Sequence, residues 1–300
     1  MEPCKPYVLD QGIYPHWSLL DRKPWRPMGD TRIAFVIYLY LERFEAMPPK
    51  DAVFDSRHRH GMARYAPYHR AHAAFEYGNR VGVFRILDLL DRHGLRATVP
   101  ANASAVTAYP YLVEQLQDRG YEFMAHGEFA SRMITSAMPE AEQRRIVASS
   151  LATLEQATGQ RPKGWMSQDY GQSVHLPQIL AEMGIEYICD YGNDEEPYLT
   201  TTNPPMVSVP NQLEWNDAEM LLHRRLTSEE HALTCRDAFD VLYRDGEKST
   251  RFYSLHIHPW MIGQPARFRF LEEVIRYIAG HIGVWNATAG EVAASIRRIL

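Results

Sequence analysis

The sequence predicts an α/β protein, a parallel sheet or barrel whose functional site lies at the C-terminal ends of the strands. Three observations predict it. Residues 32–41, RIAFVIYLYL, form a continuous apolar run rich in β-branched and aromatic residues, the pattern of a strand buried on both faces. Strand-like and helix-like stretches then alternate about seven times along the chain. Ionisable residues fall where the strands end: Glu42, His126, Asp190 and His258.

The elements follow in order. Residues 1–30 are rich in Pro, Trp and Tyr without periodicity, and read as an irregular arm on a single domain spanning residues 1–300. Trp and Tyr are favoured at interfaces, so the arm is compatible with a homo-oligomer. The run at 32–41 is the first strand, and Glu42 follows at its edge. Residues 44–75 show no clear period and carry Pro48, Pro49, Gly61 and Pro67 beside His58, His60, His69 and His72. A loop this long could close over a small ligand; the HRH at 58–60 reads as a surface feature. Residues 77–80, YGNR, open a helix with apolar face Val81, Phe84, Leu87, Leu89 and Leu90, stopping at Gly94. A cation at a helix start is unfavourable, which makes Arg80 a candidate for holding a ligand anion or carbonyl.

Residues 97–101 form a short strand, 110–119 a helix, and 121–125 the strand that ends on His126 and Gly127. Helices at 139–159, 176–183, 229–245, 267–279 and 289–300 then alternate with strands at 163–167, 186–189, 206–209, 251–258 and 284–285. Asp190 ends the strand at 186–189 and Asp194 follows in the next loop. His256 and His258 alternate along the strand at 251–258 and face the same way. No low-complexity tract, linker or repeat divides the chain.

Composition narrows the function. The apolar share of 45% supplies a sizeable core, and the charged share of 23% is ordinary for a globular protein. Net charge is −5 and no basic patch is present, so neither nucleic acid nor an acidic membrane is expected as a partner. No run of 18 apolar residues and no signal-peptide pattern is visible. Cys4, Cys189 and Cys235 form no CxxC pair, which fits a reducing cytoplasm and argues against a structural zinc site.

Each strand-end residue alone has an ordinary reading, a solvated or hydrogen-bonded side chain. Four of them on one face of a barrel point to an active site. Two imidazoles and two carboxylates, without Ser or Cys in a nucleophile-elbow context, suit attack by water under acid–base catalysis.

Five stretches carry a resemblance: EYGNRVGVFRILDLLDRHGLRAT at 76–98, YEFMAHG at 121–127, TGQRPKGW at 158–165, YICDYGNDEEPY at 187–198 and LHIHPWMIGQPAR at 255–267. In that order they resemble the polysaccharide deacetylase (NodB-homology) superfamily, nearest to its allantoinase-like and cyclic-imide hydrolase branch. The resemblance implies a distorted (β/α)7 barrel and hydrolysis of a carbon–nitrogen amide bond. Metal-dependent members of the superfamily carry an Asp pair after the first strand and an HxxxH motif. Here the acid pair is replaced by YLE at 40–42, leaving Glu42. His126 stands for the first histidine and Ala130 for the second. The cofactor is thus either none or a divalent metal such as zinc on Glu42 and His126, with Glu128 as a conceivable third ligand. The late family histidine matches His258, and the polar positions of the fourth motif match Asp190 and Asp194.

The mechanism expected on this basis has Glu42 and His126 orienting and deprotonating water. His258 protonates the leaving nitrogen, with Asp190 holding its tautomer. Arg80 or a backbone N–H steadies the oxyanion, and Trp165 and Trp260 wall the pocket. The expected substrate is a small-molecule amide: a cyclic amide, imide or ureide. Two alternatives stay open: a metal-dependent N-deacetylase of a polysaccharide or peptidoglycan sugar, and a catalytically inactive barrel that binds a ligand.

Overall fold

A strand buried on both faces needs neighbours on both edges and layers above and below it, and the first long strand has all of these. The structure is a computed structural model and describes residues 7–8, 11–55 and 65–297. After an antiparallel hairpin, β1 (Tyr7–Val8) and β2 (Pro15–His16), the chain enters β3 (Ile33–Leu39). A long helix follows in two segments, α1 (His69–Tyr77) and α2 (Val83–Arg92), joined by one π-helical turn over Gly78–Gly82. Then come β4 (Thr98–Ala101), α3 (Ala103–Ala108), α4 (Pro110–Asp118), β5 (Glu122–Ala125), α5 (Glu140–Thr158) and β6 (Gly164–Trp165). They are followed by α6 (Leu176–Glu182), β7 (Tyr187–Ile188), β8 (Tyr198–Leu199), β9 (Val207–Ser208) and α7 (Ser228–Asp245). The chain closes with β10 (Arg251–Ile257), α8 (Pro265–Ala279), β11 (Val284–Ala287) and α9 (Ala289–Arg297).

Among the described residues nine strands form one sheet in the order β10-β3-β4-β5-β6-β7-β9-β8, and β11 also pairs with β3. Every pairing is parallel except that of β8 with β9. Across the seam between β9 and β10 the Gln212 side chain takes the place of a strand ladder. Its Nε2 donates to the Phe252 carbonyl at 2.7 Å, and its Oε1 accepts from the Ser254 N–H at 2.6 Å. The result is a curled, open (β/α) barrel, the fold the sequence predicts. No helix among the described residues is long and apolar enough to cross a membrane.

Side-chain parity along the strands decides what faces the barrel interior. Ile33, Phe35, Ile37 and Leu39 pack in the cluster under the helices; Ala34, Val36, Tyr38 and Tyr40 pack in a second cluster inside the barrel. Met124, Met166, Cys189 and Phe252 join the inner set, and Trp25 and α9 add to it. Successive side chains of a strand alternate between faces, so both faces of β3 are apolar. Continuing each alternation past the strand end carries Glu42, His126 and His258 to the inner side. The same parity places Trp165 and Ile188 on the helix side.

Several boundaries differ from expectation. The helix expected from residue 77 begins at His69, so residues 69–75 are helical. YGNR lies inside the helix, at the π turn. The reason is packing: a Cβ on Gly78 would sit 2.5 Å from the Trp260 nitrogen, and one on Gly82 would overlap the Pro259 carbonyl oxygen. The helix can cross the loop after β10 only where it has no side chain, and π turns of this kind recur at functional sites. The short helix α3 and the strand β8 have no sequence pattern that marks them. The HRH at 58–60, Cys4 and residues 298–300 lie outside the described residues.

Candidate active site

Glu42, His126 and His258 converge at the inner mouth of the barrel and are buried, with exposures of 4%, 2% and 8%. His126 Nε2 lies 3.6 Å from Glu42 Oε1, and His258 Nε2 lies 4.0 Å from Glu42 Oε2. With Tyr40, Phe75, Met166, Trp260 and residues 167–170 they line a cavity with about 40 Å³ of room for the centres of water-sized molecules. Asn216, Ala218, Glu219 and His223 complete the wall.

The hydrogen bonds around each group assign its proton. The Met166 carbonyl, which can only accept, lies 2.7 Å from His126 Nδ1. That nitrogen therefore carries a hydrogen, while Nε2 faces Glu42 Oε1 at 3.6 Å and makes no hydrogen bond. Glu42 accepts from Gln168 Nε2 at 3.1 Å and from Trp260 Nε1 at 3.4 Å. Burial works to raise its pKa, but His126 and the positive His258 beside it bring it down to about 2, so it is a carboxylate.

His258 is held by Asp217. One carboxylate oxygen accepts from the His258 backbone N–H at 2.8 Å and the other lies 2.5 Å from Nδ1. Burial opposes the imidazolium, yet Asp217 and then Glu42 more than offset it, and the pKa of His258 is raised. The Tyr40 ring stacks on His258 with centroids 3.8 Å apart and planes 13° apart. The Tyr40 hydroxyl lies 2.8 Å from Nδ1 of His256, which burial and then His258 push down to about 3, so that it stays neutral.

A support layer fixes these groups. Asn102, just past β4, donates to the His126 carbonyl at 2.6 Å and to Gln168 Oε1 at 3.1 Å, and accepts from the Arg43 N–H at 3.1 Å. Asn79 of the π turn donates to the Glu42 carbonyl at 2.7 Å. Trp260 stacks on Phe75 at 4.6 Å and walls the cavity as expected from the sequence.

Other expected residues sit elsewhere. Arg80 turns to solvent, 67% exposed, 4.0 Å from Glu76, and does not line the cavity where an oxyanion would form. Trp165 faces the helices and donates to Ser167 Oγ. Asp190 does not hold His258; it accepts from the Ser167 N–H and Oγ–H, both at 2.7 Å, and burial raises its pKa to about 6. Asp194 pairs with Arg22 of the arm at 2.7 and 2.5 Å, tying that arm to the barrel. Glu128 pairs outside the cavity with Arg132 at 3.6 Å and Arg145 at 3.3 Å. Sequence patterning does not mark Asp217, Gln168, Asn102, Tyr40 or Asn79 as part of the site. Asp217 follows a single 3₁₀ turn and opens a short helical segment that continues into the π turn Glu219–His223, so no strand pattern points to it.

The metal implied by the resemblance can be tested against these donors. Glu42 and the bare His126 Nε2 are two donors side by side. Ala130, at the second histidine position of the motif, supplies none, and Glu128 is committed outside. Among the described residues no group of three His, Cys, Asp or Glu is arranged to hold a metal ion. A catalytic zinc takes three protein ligands, so the donor set does not fit, and no step is routed through a metal.

The fold is a (β/α) barrel whose inner mouth brings a carboxylate beside two imidazoles. Residues 66–188 match the polysaccharide deacetylase family model. A structure named PuuE allantoinase is 27% identical, covers 97% of this chain and 98% of its own, and superposes with a TM-score of 0.83. The crystal structure of a probable polysaccharide deacetylase from Pseudomonas aeruginosa PAO1 is 29% identical over 90% of this chain and 92% of its own, with a TM-score of 0.80. A Schizosaccharomyces pombe protein assigned to the polysaccharide deacetylases is 28% identical over 241 residues, 74% of each chain. Over residues 66–188 the chain resembles a polysaccharide deacetylase domain, and over its length it shares the barrel of these neighbours, a likeness that supports an enzyme acting on carbon–nitrogen amide bonds.

Proposed function

We propose that the enzyme opens a small cyclic amide, imide or ureide by attack of water on its carbonyl carbon. The observation that supports this reading most is the pairing of two oppositely prepared groups, a carboxylate at Glu42 and a proton-bearing imidazole at His258, across one small cavity. Water donates one hydrogen to Glu42 and the other to His126 Nε2; the two acceptors lie 3.6 Å apart. Glu42, held near 2, orients the water, and the His126 lone pair takes its proton. The carbon–nitrogen bond breaks as His258, braced by Asp217, gives a proton to the leaving nitrogen. The cramped cavity favours a compact ring over a sugar chain.

The family match keeps a second reading, removal of an N-acetyl group from a polysaccharide or peptidoglycan sugar. A panel of succinimide, dihydrouracil, hydantoin, allantoin and N-acetylglucosamine oligomers, with and without chelator, separates the two. Ring opening of a small amide supports the first. Acetate release that chelation abolishes overturns it. Silence across the panel favours a barrel that only binds.

A further inference from the structure

We propose that the cavity selects uncharged or cationic rings bearing N–H donors and excludes anionic ones, so that ring opening converts the ligand into a form the cavity rejects. This deepens the hydrolase reading and rests on it for the identity of the site. The charges on the wall carry the argument. Among the described residues three carboxylates line the cavity, Glu42, Asp169 and Glu219, and no Lys or Arg does. Asp217 stands directly behind His258. Outside the lining, Arg224 lies on Glu219 at 3.4 Å and on Glu214 at 2.8 and 2.9 Å, and on the wall His223 Nδ1 lies 4.0 Å from Glu219. The His258 imidazole is shared between Asp217 and Glu42.

An independent observation points to a donor on the ligand. His126 Nε2 is buried, unpartnered and turned toward Glu42 at the cavity. As the base of the proposed reaction that nitrogen presents a lone pair, which is satisfied by an N–H or O–H and repelled by a carboxylate. The backbone adds a third. Asp169 and Tyr170, consecutive non-glycine residues of the wall, both have left-handed φ values, 47° and 56°. Strain of this kind is stored where a side chain must be presented to a ligand. Like charges at an interface suppress the wrong partner, which is the effect expected here on an anionic ring.

The product follows from the chemistry. Water adds to the ring carbonyl and the carbon–nitrogen bond breaks. The nitrogen keeps the electron pair and takes a proton, and the carbonyl carbon leaves as a carboxylic acid that ionises at neutral pH. An uncharged ring thus becomes an anion facing Glu42, Asp169 and Glu219, and it leaves.

The test is calorimetric titration of the whole chain at neutral pH with two ring pairs whose second member adds a carboxylate or carboxymethyl group: dihydrouracil against dihydroorotate, and hydantoin against hydantoin-5-acetate. In at least one pair the uncharged ring is expected to bind about tenfold tighter or more, and the Asp169→Asn/Glu219→Gln variant to reduce that gap to about threefold or less. Equal or tighter binding of the anionic rings overturns the proposal, as does failure of both uncharged rings to bind, or a gap that the folded variant leaves unchanged. The wild-type comparison decides on its own if the variant does not fold. Charge-selective binding without ring opening keeps the selection by the cavity and ends the hydrolase reading, and with it the expulsion of an opened product. Ring opening of anionic and uncharged rings alike keeps the hydrolase reading and ends this one.

Discussion

Replacing Asp217 with asparagine changes two hydrogen bonds and one charge without changing shape. Both carboxylate oxygens accept from His258, one from the backbone N–H at 2.8 Å and one from Nδ1 at 2.5 Å. An amide has one acceptor, so its NH₂ must face a donor. If it faces Nδ1, the imidazole moves its hydrogen to Nε2 and loses its stabilised cation. Two unit charges about 4 Å apart at an effective dielectric of about 20 interact by roughly 4 kcal/mol. Removing one partner of a buried, hydrogen-bonded charge pair costs about 2–5 kcal/mol. At about 1.4 kcal/mol per factor of ten, kcat/KM should fall between about 30-fold and about 5,000-fold. The assay is turnover of whichever ring the panel identifies, with thermal melting to show that the variant is folded. Asp190→Asn is the comparison: Ser167 Oγ can rotate from donor to acceptor and relieve the mismatch, so a loss under about tenfold is expected there. An Asp217→Asn enzyme within about threefold of wild type, or an Asp190→Asn loss as large as that of Asp217→Asn, would refute the reasoning.

Three further outcomes follow from the same geometry. Glu42→Gln keeps the volume but removes the charge that orients water, and kcat should drop by about 10²-fold or more with the melting temperature little changed; a KM effect alone would contradict this. If His258 acts as the acid, kcat/KM falls as pH rises through its raised pKa, about tenfold per pH unit above it, while Glu42, at about 2, stays ionised on the acid side. A rate that rises with pH over that range would give His258 the opposite role. Gly78→Ala forces the helix off the loop carrying His258 and Trp260, since its Cβ would lie 2.5 Å from the Trp260 nitrogen. A loss of about 1–3 kcal/mol in denaturant unfolding is expected, with reduced kcat, and unchanged stability would show that the contact gives way.

The reason some residues are legible in the sequence and others are not lies in what a strand pattern encodes. The run at 32–41 announces a strand buried on both faces, and β3 forms where it should because its odd residues meet the helices and its even residues fill the barrel. Glu42, His126 and His258 can be read because they stand at the ends of such strands. Asp190 and Trp165 meet the same criterion and yet lie behind the cavity wall. Position at a strand end is only half of the information; parity against the inner residues is the other half. Met166 and Cys189 face inward, so Trp165 and Asp190, one position away, take the outer set or the layer behind it. Parity can be counted along the chain: Val36, Tyr38 and Tyr40 count forward to Glu42, as Met124 counts to His126 and Phe252 to His258.

Loops have no period to count along. Asp169 sits on an irregular turn, Asp217 opens a helical segment too short to show a period, and Asn79 and Gly78 owe their roles to a helix crossing that only the assembled barrel creates. Arg80 shows the converse error. Its cation near an apparent helix start argues for a ligand, but the helix begins at His69, so Arg80 lies in mid-helix, where a charge needs no ligand. What the strands place is the reacting set, Glu42, His126 and His258. What the loops place, Asp217 behind the acid and Asp169 with Glu219 at the wall, sets its proton state and the charge of what may enter. The two layers therefore answer to different substitutions: a change on a strand end should stop turnover, whereas a change on the loop wall should alter which ring is accepted.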